Sequence, residues 1–264
     1  MNIEKVKNVV KNNFKISVEK YFAFENKYNF FYNLAESLGK FANVVQEDYV
    51  LDVGCGYGVS CKALAEKFKC NVTGVDLSDE MINFGKRIYP DIELCIGDGE
   101  KLSKHFSDEH FDKILYNASV FIFPDTFTAF QNAFDILKKN GVIAFSHYPQ
   151  LLDENKADLF DFAYEKAKLE KPKSRVLSTI ETCIENLRKA GFVNIETDNY
   201  TLELDTEFLK NFFLIPAQSA SLIHKKSYEE RIPLIEKLFD ILKHTKGIMS
   251  WALVKGKKDG SCQK

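Results

Sequence analysis

The chain has 264 residues, 45% of them hydrophobic, enough for one large core or for a core with an appended cap. Its formal net charge of −2 and pI of about 6.3 imply no broad positive field, so nucleic acid is not an expected partner. Six cysteines, at positions 55, 61, 70, 95, 183 and 262, include no C-x-x-C pair, which suits a reducing cytoplasm and offers no metal site.

Residues 3–20 read as a polar helix without the apolar centre of a signal segment. Residues 27–43 make a stronger helix, with Phe31, Leu34, Ala35 and Leu38 on one face. Strand patterns follow at 49–53 and 71–76, and Ser78 is placed to cap the next helix, with Asp79 and Glu80 in its first turn. Strands three and four fall at 92–96 and 112–117. Phe127, Phe130, Phe134 and Leu137 then mark a helix that Asn140 and Gly141 are expected to end, before a fifth strand at 142–147. The second half is less regular. Helices are expected at 153–169, at 178–190 ending on Gly191, at 206–214 and at 227–243, where Pro233 should kink the helix or mark its first turn. Strands at 193–204 and 247–255 complete the set, and a loose polar tail is expected over 255–264. Two basic runs, Lys171, Lys173 and Arg175, and Lys225 with Lys226, read as solvated surface. No apolar run approaches the length of a bilayer span; Ser119 to Phe123 is typical.

Strand and helix patterns that alternate predict an α/β fold with a mostly parallel sheet. The most informative stretch is 50–58, VLDVGCGYG, where a buried strand runs through Asp52 into Gly54, Gly56 and Gly58. Cys61, Leu64, Ala65 and Phe68 then open a helix. Such a turn lets a ligand approach the backbone at a helix N-terminus. The dinucleotide fingerprint needs a small third residue, and Val59 stands in its place. Asp52 would repel a pyrophosphate and attract an ammonium or sulfonium group. The charge therefore favours S-adenosylmethionine (SAM) over NAD. Asp76 ends the second strand where an acid can take ribose hydroxyls, and Asp98, between Gly97 and Gly99, can accept from an adenine amino group.

These pieces resemble the class I SAM-dependent methyltransferases. The matching segments are 52–58, 75–78, 97–98, 111–117 and 137–143, in the family's order, and the resemblance covers about residues 45–148. It implies a Rossmann-like, seven-stranded, mostly parallel sheet with helices on both faces and its last two strands antiparallel. Residues 1–44 would form an N-terminal helical cap, and residues 45–264 the methyltransferase domain, with cap insertions near 150–177 and 206–245. It also implies a SAM site built from Asp52, Gly54, Cys55, Gly56, Gly58, Asp76, Leu77, Gly97, Asp98, Gly99 and Asn117. Tyr21, in a Phe14-x3-Val18-x2-Tyr21 pattern, resembles a segment that folds over SAM; Phe22 is a weaker candidate, and an aromatic anchor on the core is the alternative.

Methyl transfer from a sulfonium is a direct displacement, so positioning and exclusion of water matter more than acid catalysis. The catalytic candidates His147 and Tyr148 are chosen by location alone, after the fifth strand. His105, His110, His224 and His244 have no such placement. The aromatic group at 208–213 lines an acceptor pocket or is simply core. The expected activity is methyl transfer to a small-molecule acceptor in the cytoplasm. A SAM-binding regulator without transferase activity is the alternative from another class. A protein or RNA methyltransferase would want a basic groove or an Asn-Pro-Pro-Tyr-type end to strand four, where this chain has Asn117, Ala118, Ser119 and Val120.

Overall fold

A computed structural model describes residues 2–260 of the chain. Three helices come first: α1 (Ile3–Lys15), α2 (Val18–Tyr28) and α3 (Phe30–Phe41). The expected 3–20 helix is thus divided at Ile16 and Ser17, and α2 runs to Tyr28, into the segment assigned to the next helix. Asn29, at φ 50°, separates α2 from α3 and makes no side-chain cap. Glu25 supplies that cap from the preceding helix, accepting from Phe31 N–H at 3.0 Å and Tyr32 N–H at 2.9 Å. A buried carboxylate therefore welds the two helices at their bend.

The Rossmann-like core follows as β1 (Tyr49–Val53), α4 (Val59–Phe68), β2 (Asn71–Asp76), α5 (Asp79–Ile88), β3 (Glu93–Ile96), β4 (Phe111–Tyr116), α6 (Thr126–Ile136) and β5 (Leu137–Ser146). Ser78 caps α5 as expected, accepting from Met81 N–H at 3.3 Å. α6 ends at Ile136, not at Asn140 and Gly141. Leu137 is already paired with Phe111, and a register shift absorbs the following residues before Val142 pairs with Lys113. Next come β6 (Gln150–Asp153), α7 (Leu159–Ala167), α8 (Ile180–Lys189), β7 (Phe192–Glu203), α9 (Thr206–Phe213), α10 (Pro216–Leu222), α11 (Tyr228–Ile241) and β8 (Gly247–Lys258).

The described residues form one eight-stranded sheet of order β3-β2-β1-β4-β5-β8-β6, with β7 on the other side of β8. Strands β1 to β5 are parallel, and β8 is antiparallel to β5, β6 and β7. The eighth strand is β6, which prolongs the β5 side of β8, and the helix expected over 153–169 is α7, which starts only at Leu159. α10 is likewise additional. Pro233 lies beyond the first turn of α11, because Ser227 and Glu230 form a capping box at its start. Residues 255–258 of the expected tail are in β8, 255–257 paired with Ala144, Ile143 and Val142 of β5 and Lys258 with Phe192 of β7; Cys262 lies outside the described residues.

Alternation in β1 feeds two cores. Val50 faces the cluster that holds α3 and the cap helices, while Leu51 and Val53 face the cluster of α6 and α8. Phe212 and Phe213 of α9 are fully buried in the first cluster, which also holds Trp251, and half-buried Phe208 packs against it, so the aromatic stripe is core. The chain leaves β1 toward β2 and β3, then crosses back to β4 on the other side of β1. That reversal opens a crevice beyond the carboxyl ends of β1 and β4.

Replacing Glu25 by Ala orphans two N–H groups at the start of α3. Urea unfolding should show a loss of about 1–3 kcal/mol, and Glu25→Gln should recover part of it.

Candidate functional site

The β1–α4 turn sits at this reversal. Gly54, at φ +75°, also lies against Ser119, whose Cβ would be 2.6 Å from an added methyl group. Gly56, at φ +57°, has nothing within 4 Å of such a methyl, so its open side faces free space. Gly56 N–H donates to Asp76 Oδ2 at 2.9 Å, and Ser78 N–H donates to Asp76 Oδ1 at 2.8 Å. The carboxylate at the end of β2 thus ties the glycine turn to the start of α5. Burial raises its pKa, and the N–H groups of Ser78, Gly56 and Leu77 oppose that.

Two neighbouring crevices share Phe14, Gly54 and Ala118. The first holds about 650 Å³, solvent mouth included, between Asp76, Leu77, Ser78, Asp98, Gly99 and Glu100 on one side and Ile122, Phe123 and Pro124 on the other. Lys7, Val10, Lys11 and Phe14 of α1 form its outer wall. The second is lined by Tyr21, Phe31, Cys55, Gly56, Ser60, Met81 and Asn117, among others.

Alternation along β1 points Asp52 toward α4. It is fully buried, Oδ2 accepts from Cys61 Sγ at 3.6 Å, and Oδ1 has no hydrogen-bond partner. Burial pushes its carboxyl up to about 7, against hydrogen bonds from Cys61 and the Asn117 backbone. A carboxylate in this state lacks a counter-charge. At the other end, Asp98 accepts from Lys7 Nζ at 2.9 and 2.8 Å and from Glu100 N–H at 3.0 Å. Burial raises Asp98, but Lys7, the Glu100 N–H and Lys101 together outweigh it and the net direction is down. Glu100 lies 2.6 Å from Lys7 Nζ.

Of the residues named from sequence, Gly54, Cys55, Gly56, Asp76, Leu77, Asp98, Gly99, Asn117 and Tyr21 line the two crevices. Asp52, Gly58 and Gly97 do not. Asp52 lies beneath the turn, Gly58 and Gly97 accommodate Leu94 and Val75, and Gly99 is close-packed on Phe123 and Val53. The Asn117 side chain is turned inward. Its Nδ2 donates to Ser60 Oγ at 2.9 Å and to Phe31 O at 3.1 Å, and its Oδ1 accepts from Ser146 Oγ at 3.2 Å. Tyr21 OH accepts from Gln218 Nε2 of α10 at 2.8 Å, and Phe22 packs on Tyr57 and Phe84.

His147 and Tyr148 are not brought to these crevices. They line a separate cavity with residues 149–152 and the 171–181 segment. His147 Nε2 donates to Ser178 O at 2.9 Å, and burial lowers its pKa. Tyr148 OH is 3.1 Å from Ser221 Oγ, and burial raises its pKa, which keeps the phenol neutral. Arg175, expected at the surface, is largely buried against Phe160 and pairs with Asp158 through both Nη atoms at 3.0 and 2.9 Å. Phe14, the first residue of the Phe14-x3-Val18-x2-Tyr21 pattern, lines both crevices. Sequence reasoning did not find Lys7, Lys11 or Glu100; the one signal for the lysines was the four-residue spacing of Lys7, Lys11 and Lys15 in a polar helix.

A family model described as a methyltransferase domain matches residues 45–201. The chain belongs to this methyltransferase domain family. The match begins just before β1 and runs into β7, so it contains the glycine turn, Asp76 and Asp98. Phosphoethanolamine N-methyltransferase 2 of Caenorhabditis elegans is 25% identical over 191 residues, covering 70% of this chain and 42% of that protein. Malonyl-[acyl-carrier protein] O-methyltransferase of Priestia megaterium is 34% identical over 106 residues, covering 39% of this chain and 38% of its own. The chain thus spans less than half the length of both curated relatives. A crystal structure from Thermotoga maritima, described as a SAM-dependent methyltransferase and possible histamine N-methyltransferase, shares the fold of this methyltransferase domain. Its TM-score is 0.57 at 19% identity, over 94% of this chain and 99% of that one.

A buried carboxyl raised from 3.8 to about 7 costs stability that grows as pH climbs from 4 to 7, on the order of 4 kcal/mol at the top. Asp52→Asn should therefore raise the melting temperature of the free protein at pH 8 and have little effect near pH 4, read by calorimetry.

Proposed function

We propose that this chain is a SAM-dependent methyltransferase that delivers the methyl group to a small-molecule acceptor. The observation that carries this reading is the sign of the crevice. Asp52 lies buried and uncompensated beneath the turn, and Asp76, Asp98 and Glu100 line the groove. The cations there, Lys7 and Lys11, belong to α1 and are already paired with acids. A dinucleotide pyrophosphate would meet like charge. A nucleoside bearing an ammonium and a sulfonium would meet the charge it lacks.

In this assignment Asp76 takes the ribose hydroxyls with the lone pairs that Gly56 and Ser78 leave free, and Asp98 takes the adenine amino group. Asp52 balances the methionine end across the glycine turn. Bound SAM supplies an activated methyl group on a positive leaving group. The protein contributes orientation and a dry enclosure, which Phe14, Tyr21, Phe31 and Met81 provide around the second crevice. Tyr21 is a polar group there for an acceptor to meet, since its hydroxyl accepts from Gln218 and keeps its own hydrogen to donate. His147 and Tyr148 are not assigned a proton-transfer role, because their ring atoms are engaged elsewhere. The relatives' names give a nitrogen acceptor in one case and an oxygen acceptor in the other, both on small molecules or carrier-bound acids. A small acceptor beneath the cap helices agrees with both.

Calorimetric titration with SAM and with NAD tests the assignment; preferential binding of NAD overturns it. Asp76→Asn should weaken SAM binding by about 1.5–3 kcal/mol, roughly ten- to a hundredfold. Affinity for SAM should rise as pH increases through about 7, where Asp52 loses its proton, and Asp52→Asn should flatten that dependence.

A further inference from the structure

The outer wall of the groove is held in place in an unusual way. Among the described residues of α1, the one that is buried is a charged one, Lys7. Ile3 and Val9 are exposed, and Val10 and Phe14 are only partly covered. Its one ring contact is at the C-terminal end, where Phe14 stacks on Tyr21 at 5.8 Å and packs against the first cluster. The rest of the helix has no apolar anchor comparable to those of α2 and α3. Its other ties are ionic and share one stripe. Glu4 meets Lys101 at 3.5 Å, Lys7 meets Asp98 and Glu100, Lys11 meets Asp79 at 2.8 Å, and Lys15 meets Glu80. Spacings of three, four and four residues put all four on one helical face. Every partner borders the nucleoside groove or the helix that follows Asp76.

The attachments at either end of α1 differ in kind. At its C-terminus, Ser17 is fully buried, donates to Asn13 O at 2.6 Å and accepts from Ala217 N–H at 2.9 Å. That end is fixed to α10. The ties along the rest of the helix are solvent-screened except one: Lys7, whose side chain is 10% exposed against acids 15% and 5% exposed. Exposed ion pairs contribute little, and a buried pair resists opening because parting it strands charges out of water.

We propose that α1 is a lid that pivots at Ser17 and is latched shut by Lys7 on Asp98 and Glu100, so that nucleoside enters and leaves only when this latch opens. This rests on the reading that the groove takes SAM. Lys7, Val10, Lys11 and Phe14 form the outer side of the groove, so a helix that swings away widens its mouth for a ligand the size of SAM. Latching at the adenine end also gives Asp98 two tasks, as receptor for the base and as keeper of the lid. Because the ties N-terminal to Phe14 are charges rather than apolar contacts, salt loosens that stretch of the lid without loosening the core.

Hydrogen exchange on the free full-length protein tests the latch without reference to any ligand. Amides of residues 3–15 should exchange roughly tenfold faster in Lys7→Met than in the parent protein, and faster at 0.5 M than at 0.02 M sodium chloride. Amides of β1 and β4 should be unchanged, which shows that the variant is folded. Lys5→Met, which removes an exposed lysine that forms no salt bridge among the described residues, serves as the control and should leave α1 protection as it is. Protection of α1 that is indifferent to both Lys7→Met and salt overturns the proposal. Stopped-flow exchange of SAM should then show Lys7→Met increasing association and dissociation rates together. Rates that do not change while SAM still binds refute the gate alone; absence of SAM binding to the parent protein refutes the cofactor assignment, with the exchange data deciding the latch.

Discussion

The Asp76 carboxylate is the constraint on which the crevice depends. It stands at the end of β2 and receives N–H groups from the glycine turn of β1 and from the N-cap of α5. Without it, two adjacent loops that end neighbouring parallel strands have no reason to keep a common register. Both loops carry backbone donors at helix starts, and a buried acid between them satisfies those donors while holding negative charge at the groove. The same group that shapes the site also sets its sign. Asp52 on the neighbouring strand β1 and Asp98 just beyond the other neighbour, β3, extend that sign along the carboxyl edge of the sheet.

Such a row of acids is costly in the free protein. Each carboxylate there is handled differently. Asp76 is satisfied by backbone, Asp98 by Lys7, and Asp52 is left with an unpaired oxygen and a raised pKa. The uncompensated member, Asp52, lies under the glycine turn, and Asp98, paired with Lys7, lies under α1. A site arranged in this way stores electrostatic cost where a cationic ligand relieves it, at the expense of the stability of the empty fold.

Much of the site could be read in advance. The bounds of β1 and β2 coincide with the sequence reading, because an apolar run closed by Asp-x-Gly or by Asp-x-Ser is a local signal. Gly54, Gly56, Asp76 and Asp98 fall at the crevice for the same reason. What failed depended on neighbours distant in sequence. Gly58 and Gly97 looked like ligand-facing glycines but make room for Leu94 and Val75 of the adjacent strands. His147 was placed by its position after β5, yet the backbone of Ser178, 31 residues on, holds its ring elsewhere. Arg175 looked solvated until Asp158 and Phe160 were folded against it.

From the residues alone came the alternating α/β order, the glycine turn and the acids at the strand ends, because each is set by neighbours within a few positions. The tertiary structure decided which of those glycines face open space, where the Asn117 and His147 side chains turn, and that Lys7 closes on Asp98 across 91 residues. Those outcomes depend on packing and on charges brought together from separate elements, and no local pattern in a chain specifies which distant partner will fill a given gap.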